Sequence, residues 1–308
     1  MTRTKQKTIQ APVSCTGVGL HTGVESTITF NPAPEDFGIK FIRTDKEDKY
    51  VTPDLDNVID LTRGTTIEEN GIKVHTTEHV LSACAGMGVH NLLIELNSKE
   101  PPVMDGSAKD FVEALVESGI IEQDADVDFL KITKPVVYTD EEKDVEVVGV
   151  PYDGFKTTFT IQYNLEDLDV QYSSIHNMSQ NYKTQIAPAR TYCLLSEIKG
   201  LTKQGLIKGG NLGNAVIIVD KDIEDEEVQI FKERFGIKFF KGDRGLHKTQ
   251  VLRFRNEPVR HKTLDLIGDL ALLGKPILGH ITAIKSGHKG NVEFAKLLRK
   301  EFKNQFKK

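Results

Sequence analysis

One predicted helix organises this chain, and its sequence reads Arg260-His261-Lys262-Thr263-Leu264-Asp265-Leu266-Ile267-Gly268-Asp269-Leu270. Residues four apart are separated by about one helical turn, so His261, Asp265 and Asp269 share one face. Both aspartates fall within an otherwise apolar run, where unpaired charges are costly to bury. This face therefore needs compensating partners, and a metal ion for Asp265 and a cationic histidine for Asp269 would supply them.

A second histidine stands at a predicted helix start far upstream, in the run Thr76-Thr77-Glu78-His79-Val80-Leu81. His79, His261 and Asp265 would give two imidazoles and one carboxylate, a set typical of a catalytic zinc that keeps a fourth position open for water. Glu78 would then be placed to act as the general base. A histidine followed four residues later by an aspartate is also common on solvated helix faces, so the pair in the downstream helix is weak evidence when taken alone.

Composition narrows the class of protein. The chain has 308 residues, 38% of them hydrophobic and 28% charged, which is typical of a soluble globular protein long enough for two domains. Its net charge of −5 argues against a general binder of nucleic acid polymers. The sequence shows neither a secretory signal nor an uninterrupted apolar run long enough to span a membrane, which predicts a cytoplasmic protein. Three widely spaced cysteines fit a reducing compartment, so metal ligands are sought among histidines and carboxylates.

The pattern of strands and helices repeats along the chain. In both halves a histidine near a helix start is followed by a glycine at the helix end and then by an apolar strand, which indicates an internal duplication with the site between the copies. The acidic residues 122–128 bury little and predict a linker. We therefore expect an N-terminal α+β domain at 1–125 that supplies Glu78 and His79. A C-terminal α+β domain at 126–308 would supply His261, Asp265 and His288.

Residues 190–220 read as strand, helix and strand, with more apolar side chains than so small a unit can bury by itself. Two interpretations remain open at this point. The apolar residues either line a passage for a lipid or pack against the rest of the domain, and composition alone favours packing. The apolar residues are Tyr192, Leu194, Leu195, Ile198, Leu201, Leu206 and Ile207.

Two features near the end of the chain also allow more than one interpretation. His288 lies in the loop Lys285-Ser286-Gly287-His288, and if Asp269 holds it as a cation it would stabilise an oxyanion or protonate a leaving group. The alternative is a surface histidine without a role. Residues 297–308 are basic, with Phe302 and Phe306 one turn apart, and form either a solvated helix or a peripheral membrane contact.

Six short runs, spread over nearly the whole chain, carry a resemblance to a known family. They are HTTEHVLSA at 75–83, PVMDGSA at 102–108, ART at 189–191, GGN at 209–211, RHKTLDLIGD at 260–269 and KSGH at 285–288. In this order they resemble the UDP-3-O-acyl-N-acetylglucosamine deacetylases, zinc amidohydrolases of the committed step of lipid A synthesis in Gram-negative bacteria. The chain is most similar to the deacetylase half of a form fused to a hydroxyacyl-carrier-protein dehydratase.

The resemblance implies roles for the catalytic residues. The ligands of Zn²⁺ would be His79, His261 and Asp265. Glu78 would be the general base, and His288 would act with Asp269 on the intermediate and the leaving amine. Thr191 would steady the oxyanion. The products would be a free glucosamine amine and acetate.

The resemblance also implies how substrate binds. Lys262 would help to hold the UDP-3-O-acyl-N-acetylglucosamine substrate, and His21 would lie near its nucleotide end. The segment 190–220 would form an acyl passage, which reverses the preference for plain packing. The residues expected to contact substrate there are Tyr192, Leu194, Ile198 and Gly210.

The fold implied by the resemblance is α+β, with two similar domains that each layer a sheet against helices. Each domain would carry a small inserted unit, and the active site would lie between the domains. The expected enzyme is a monomer with at most peripheral membrane contact. Two other functions stay open, namely a zinc amidohydrolase of another amino sugar and a non-catalytic, zinc-stabilised binding module.

Overall fold

The computed structural model describes residues 4–46, 49–163, 170–224, 227–229, 231–232, 236, 245–246 and 250–306. Helices and β-sheets are both present in this part of the chain, which confirms the mixed α+β class. The α-helices described here are α1 (Glu78–Met87), α2 (Lys109–Glu117), α3 (Met178–Gln185), α4 (Leu195–Lys203), α5 (Glu257–Ala271) and α6 (His288–Glu301).

The described strands form several sheets. Those before residue 127 are β1 (Lys5–Ile9), β2 (Val13–Val18), β3 (Glu25–Pro32), β4 (Ile39–Arg43), β5 (Tyr50–Val51), β6 (Val58–Asp60), β7 (Thr66–Glu69), β8 (Ile72–Val74), β9 (Leu92–Leu96) and β10 (Ile120–Asp126). Those after it are β11 (Leu130–Lys131), β12 (Val136–Asp140), β13 (Val145–Val150), β14 (Phe155–Ile161), β15 (Gln171–His176), β16 (Tyr192–Leu194), β17 (Val216–Val219), β18 (Gly245–Leu246) and β19 (Ile277–Ile284).

Two of the sheets share one strand order. The first runs β2-β3-β9-β4-β5 and the second runs β12-β13-β19-β14-β15, with β11 also pairing with β19. In each sheet the last of these strands in sequence lies at the centre, antiparallel to one neighbour and parallel to the other. Each central strand also follows a long helix, α1 or α5, and a glycine with positive φ, Gly88 or Gly274. The matching order supports the predicted internal duplication.

The expectation of a linker throughout residues 122–128 is wrong. Most of this acidic stretch belongs to β10, which pairs antiparallel with β1. The physical reason is backbone pairing with a strand distant in sequence. Surface ion pairs accompany it, with Lys7 Nζ 3.7 Å from Glu122 Oε1 and Lys5 Nζ 3.0 Å from Asp126 Oδ1. Residues 190–220 contain the expected strand, helix and strand, namely β16, α4 and β17.

Helices α1 and α5 pack at very short range. A Cβ atom at Gly268 would lie 2.1 Å from the carbonyl oxygen of Glu78, a distance that no side chain tolerates. Glycine at this position therefore permits the backbones of the two helices to touch. Because His79 follows Glu78 and Asp265 lies about one turn before Gly268, this contact brings the predicted metal ligands together.

The C-terminal aromatic residues pack on the protein itself. Phe302 is buried, and Phe306 packs against the main hydrophobic core with Lys275 Nζ 5.2 Å from the centre of its ring. These contacts occupy the two side chains on which the expectation of membrane contact rested. Among the described residues, the helices are too short or too polar to cross a bilayer.

Candidate metal centre

The structure brings His79, His261 and Asp265 together. Within the described part of the chain they form a group in which one ligand atom from each residue lies within 4.8 Å of the others, and all three side chains are buried. Asp265 Oδ1 is 3.3 Å from His261 Nε2 and 3.8 Å from His79 Nε2. His261 Nδ1 lies 3.0 Å from the carbonyl oxygen of Ala189, so we assign the ring proton to Nδ1. The lone pair of Nε2 is then free to coordinate a metal ion.

One carboxylate oxygen of this group would be stabilised by a bound cation. Asp265 Oδ1 is buried without a hydrogen-bond partner, whereas Oδ2 accepts a 2.8 Å hydrogen bond from Lys262 Nζ. A buried, unpaired carboxylate oxygen is costly, and a metal ion would remove that cost. The residues present therefore fit a divalent metal ion.

The protonation states suit metal binding. Burial, together with the nearby His261, lowers the pKa of His79 to about 3, and burial also lowers the pKa of His261. Burial by itself would raise the pKa of Asp265, but His261 and Lys262 hold it well below its usual range. Two neutral imidazoles and an ionised carboxylate are the forms that coordinate metal.

Glu78 faces the same space from the first turn of α1. Its Oε2 accepts a 2.9 Å hydrogen bond from the backbone of Thr65, and its Oε1 is 3.9 Å from His288 Nε2. Burial, aided by the charges of Asp269 and Asp265, raises the pKa of Glu78 to about 7. A carboxyl group with such a pKa can accept and return a proton near neutral pH.

His288 and Asp269 form the predicted pair. His288 Nδ1 donates to Asp269 Oδ2 over 2.9 Å. Burial would lower the pKa of His288, but Asp269 and then Glu78 raise it to about 9, so the imidazole is cationic at neutral pH. Asp269 also accepts hydrogen bonds from Thr65 Oγ1 at 2.6 Å and Asn291 Nδ2 at 2.8 Å.

Sequence reasoning missed Thr65 and Asn291. Asn291 lies three residues after His288 and so shares its face of α6, which is a signal that helix spacing offered. Thr65 reaches Asp269 across 204 positions of sequence, and no local pattern points to it.

The candidate metal ligands lie in the wall of a cavity of about 370 Å³. The predicted residues that contribute to its wall are Glu78, His79, Thr191, Tyr192, His261, Lys262, Asp265 and His288. Sequence reasoning did not single out the basic residues Arg63, Lys143 and Lys289, which line the same cavity. Lys289 directly follows the predicted His288, and Lys285 of the same loop also lines the cavity, so this loop gave a local hint of the positive wall.

A second, smaller cavity of about 90 Å³ adjoins the first through shared wall residues, among them Thr191 and Tyr192. The predicted substrate residues His21, Ile198 and Gly210 line it. Leu194 does not line either of these two cavities. It packs instead against the cluster of Val216 and Ile218, because it lies opposite Ile218 where β16 pairs with β17.

Comparison with known proteins places this architecture in a family. The model of the LpxC family, described as UDP-3-O-acyl N-acetylglycosamine deacetylase, matches residues 6–235 and 239–300. The chain belongs to this family. A UDP-3-O-acyl-N-acetylglucosamine deacetylase of Thermodesulfovibrio yellowstonii is 40% identical over 293 residues, which are 95% of this chain and 91% of that protein. The resemblance seen in the six sequence runs is thereby confirmed.

Fused relatives of the LpxC family are similar as well. The bifunctional enzyme LpxC/FabZ of Chlorobaculum tepidum is 46% identical over 299 residues, or 96% of this chain and 64% of that protein. The corresponding enzyme of Bacteroides thetaiotaomicron is 38% identical over 301 residues, or 97% of this chain and 65% of that protein. The chain thus spans slightly less than two thirds of the length of these bifunctional relatives.

Proposed function

We propose that this chain hydrolyses the acetamide of UDP-3-O-(3-hydroxyacyl)-N-acetylglucosamine to a free amine and acetate, the committed step of lipid A biosynthesis. The observation that carries the proposal is the convergence of His79, His261 and Asp265 beside the buried Glu78. The names of the relatives support this choice of substrate.

Zinc is the proposed metal, because two neutral imidazoles and one carboxylate match the protein ligands of catalytic zinc sites. When bound, it would polarise the acetamide carbonyl as a Lewis acid. Glu78 accepts the proton of the attacking water. Thr191 lies in the wall of the same cavity, and its hydroxyl donates a hydrogen bond to the oxygen on which negative charge develops.

The leaving nitrogen must be protonated before the C–N bond breaks, since an amine anion is a very poor leaving group. Glu78, once protonated, and the cationic His288 are the two groups that can deliver this proton. Asp269 keeps His288 charged and oriented through the 2.9 Å hydrogen bond to Nδ1. Lys262 Nζ donates a hydrogen bond to Asp265 Oδ2. Lys262 also lies in the cavity wall, where it would contact substrate.

The raised pKa of His288 predicts an alkaline limit to activity. The cation is present below a pKa of about 9 and is lost as pH rises through that value, so kcat/KM should fall above about pH 9. Asp269→Asn removes the charge that raises this pKa, and the alkaline limb should then move down by about 1 pH unit or more. The measurement is kcat/KM against pH, with Asp128→Asn as control because Asp128 pairs with Lys275 instead. An alkaline limb unchanged in Asp269→Asn would contradict the role of His288.

The smaller cavity is proposed to receive the acyl chain, within a strand-helix-strand insert at 190–220. Its described wall is rich in apolar side chains, including Ile198, Leu201, Ile207 and Ile217. The basic wall of the larger cavity is suited to the anionic nucleotide of the same substrate. Gly210 would border the acyl chain near this junction. His21, expected at the nucleotide end, lies in the wall of the same smaller cavity.

Removing the acyl chain from the substrate should lower kcat/KM by at least about 10²-fold, because each buried methylene contributes about 0.8 kcal/mol. Ile198→Asn should make this difference in kcat/KM smaller, because it should weaken binding of the acylated substrate and leave binding of the substrate without the chain unchanged. Val137→Asn, at a side chain that is 53% exposed, is the control. Equal rates with and without the chain would instead favour an amidohydrolase of another amino sugar.

The domain organisation is part of the proposal. We place an N-terminal domain at 1–125 and a C-terminal domain at 126–308, with the active site between them. The sheet memberships support this, since β10 ends at Asp126 and each described sheet draws its strands either from residues up to Asp126 or from residues after it. A monomeric enzyme of the cytoplasm is proposed, and analytical ultracentrifugation with cell fractionation would check it.

A further inference from the structure

Residues 187–191 make up most of the short segment without helix or strand that joins α3 to β16. Its backbone is nevertheless bound by other elements at every residue. The carbonyl oxygens of Ala187 and Pro188 accept hydrogen bonds from Ala108 N at 2.9 Å and Arg253 Nη1 at 2.9 Å. The amide of Thr191 donates to Gly106 O over 2.7 Å.

The centre of this segment is held by Glu257, the first residue of α5, which is fully buried. Arg190 donates to its carboxylate from N at 3.0 Å, Nε at 2.8 Å and Nη2 at 3.1 Å. A fourth hydrogen bond of 2.7 Å comes from the backbone of Arg253. A buried ion pair whose polar atoms are satisfied in this way specifies a geometry, and removing one partner leaves a costly unpaired charge.

Two residues on one face of α5 bind the 187–191 segment. Glu257 and His261 are four residues apart, which is about one turn of α5. Glu257 binds Arg190, and His261 Nδ1 lies 3.0 Å from the carbonyl oxygen of the preceding residue, Ala189. The following residue, Thr191, lines the metal cavity. One ion pair therefore holds the residue that lies between the carbonyl facing His261 and the residue that carries the proposed oxyanion donor.

We propose that Glu257 and Arg190 are positioning residues for the metal centre and for Thr191. They act through the 187–191 segment and do not touch substrate. This inference rests on the proposed function for the role of Thr191, whereas its effect on His261 concerns metal binding alone. Partners that orient a metal-ligating histidine typically change metal affinity or activity by about 10–100-fold when removed.

Glu257→Gln tests the proposal, because glutamine keeps the size of the side chain but presents an amide to the arginine donors. The expected result is zinc binding weakened by about 10–100-fold in competition with a chelator. A similar fall in kcat, with KM within about twofold, should accompany it, since the residue does not contact substrate. Unchanged zinc affinity and kcat in a folded variant would overturn the proposal.

Asp45→Asn is the matched control for a purely structural effect. Asp45 forms a two-pronged pair with the buried guanidinium of Arg43, with Arg43 Nε 2.7 Å from Asp45 Oδ1. This variant should lower the melting temperature without changing zinc affinity. A Glu257→Gln protein that differs from wild type only in melting temperature, as the control does, would show that the ion pair serves stability alone.

Two further measurements apply if Glu257→Gln does not fold. Arg190→Lys keeps a cation but loses the fork geometry, so zinc binding should weaken in the same direction. In the unchanged protein, the amides of Arg190 and Thr191 should exchange with solvent as slowly as core amides, although they lie outside helices and strands. Fast exchange of both amides would overturn the proposal.

The readouts separate this inference from the proposed function. Loss of zinc affinity in Glu257→Gln, together with a wild-type protein that does not deacetylate the nucleotide sugar, would leave the positioning role intact and refute the proposed reaction. A wild-type protein that deacetylates, with a Glu257→Gln variant equal to it in zinc affinity and kcat, would refute the positioning role alone.

Discussion

Glu78→Gln is expected to lower kcat by about 10²–10⁴-fold while zinc content stays the same. The variant keeps the shape of a side chain that is almost completely buried, at 3% exposure, but it cannot take a proton from water or return one to the leaving nitrogen. The proposed metal ligands His79, His261 and Asp265 are untouched, so the loss should appear in the chemical step.

The measurement is metal content by mass spectrometry alongside the steady-state rate of acetate release. Glu301→Gln, at the end of α6 and paired with Lys134 on the surface, is a control for the same chemical change. Retained zinc with near-normal activity in Glu78→Gln would refute the general-base assignment. It would then favour a different base.

His261→Ala is expected to reduce both zinc binding and activity, the latter by at least about 10³-fold, because polarisation by a metal supplies several kcal/mol of transition-state stabilisation. His280→Ala is the matched control, since His280 lies on β19 and interacts with Thr158, away from the cavity wall. A variant that loses activity but retains one zinc per chain would argue against His261 as a ligand.

Removing zinc with a chelator should abolish activity without unfolding the protein. The helices that carry the ligands are fixed by their own packing, through the contact of Gly268 with the backbone of Glu78 and through buried apolar side chains of α1 and α5. Circular dichroism before and after chelation, with activity restored on adding zinc, checks this. Unfolding on chelation would favour the zinc-stabilised binding module, for which folding and metal binding are one event.

The sequence was sufficient where a property depends on residues close together in the chain. The periodicity of 260–270 placed His261, Asp265 and Asp269 on one helix face, and the structure has a helix from Glu257 to Ala271. The charge of Asp269 within an apolar run predicted a compensating cation, and His288 lies 2.9 Å from it. Burying a charge is costly, so a charged residue within an apolar run predicts a compensating partner before any fold is known.

The sequence was insufficient where partners are distant in the chain. The acids of β10 were interpreted as a linker because their lysine partners in β1 lie more than 100 positions away. Leu194 was grouped with the residues of the acyl passage, although it packs against Val216 and Ile218 of the neighbouring strand. Thr65 and the basic residue Arg63 line or support the metal cavity without any local motif.

The amino-acid sequence by itself determined the α+β class and predicted the candidate site residues, because helical and strand periodicity and the cost of buried charge act over a few neighbouring residues. Only the tertiary structure decided the distances among His79, His261 and Asp265. It also decided that Asp265 Oδ1 has no hydrogen-bond partner and that Glu257 pairs with Arg190. Those features depend on two helices meeting at Gly268 and on hydrogen bonds between segments far apart, which only the packing of the whole chain sets.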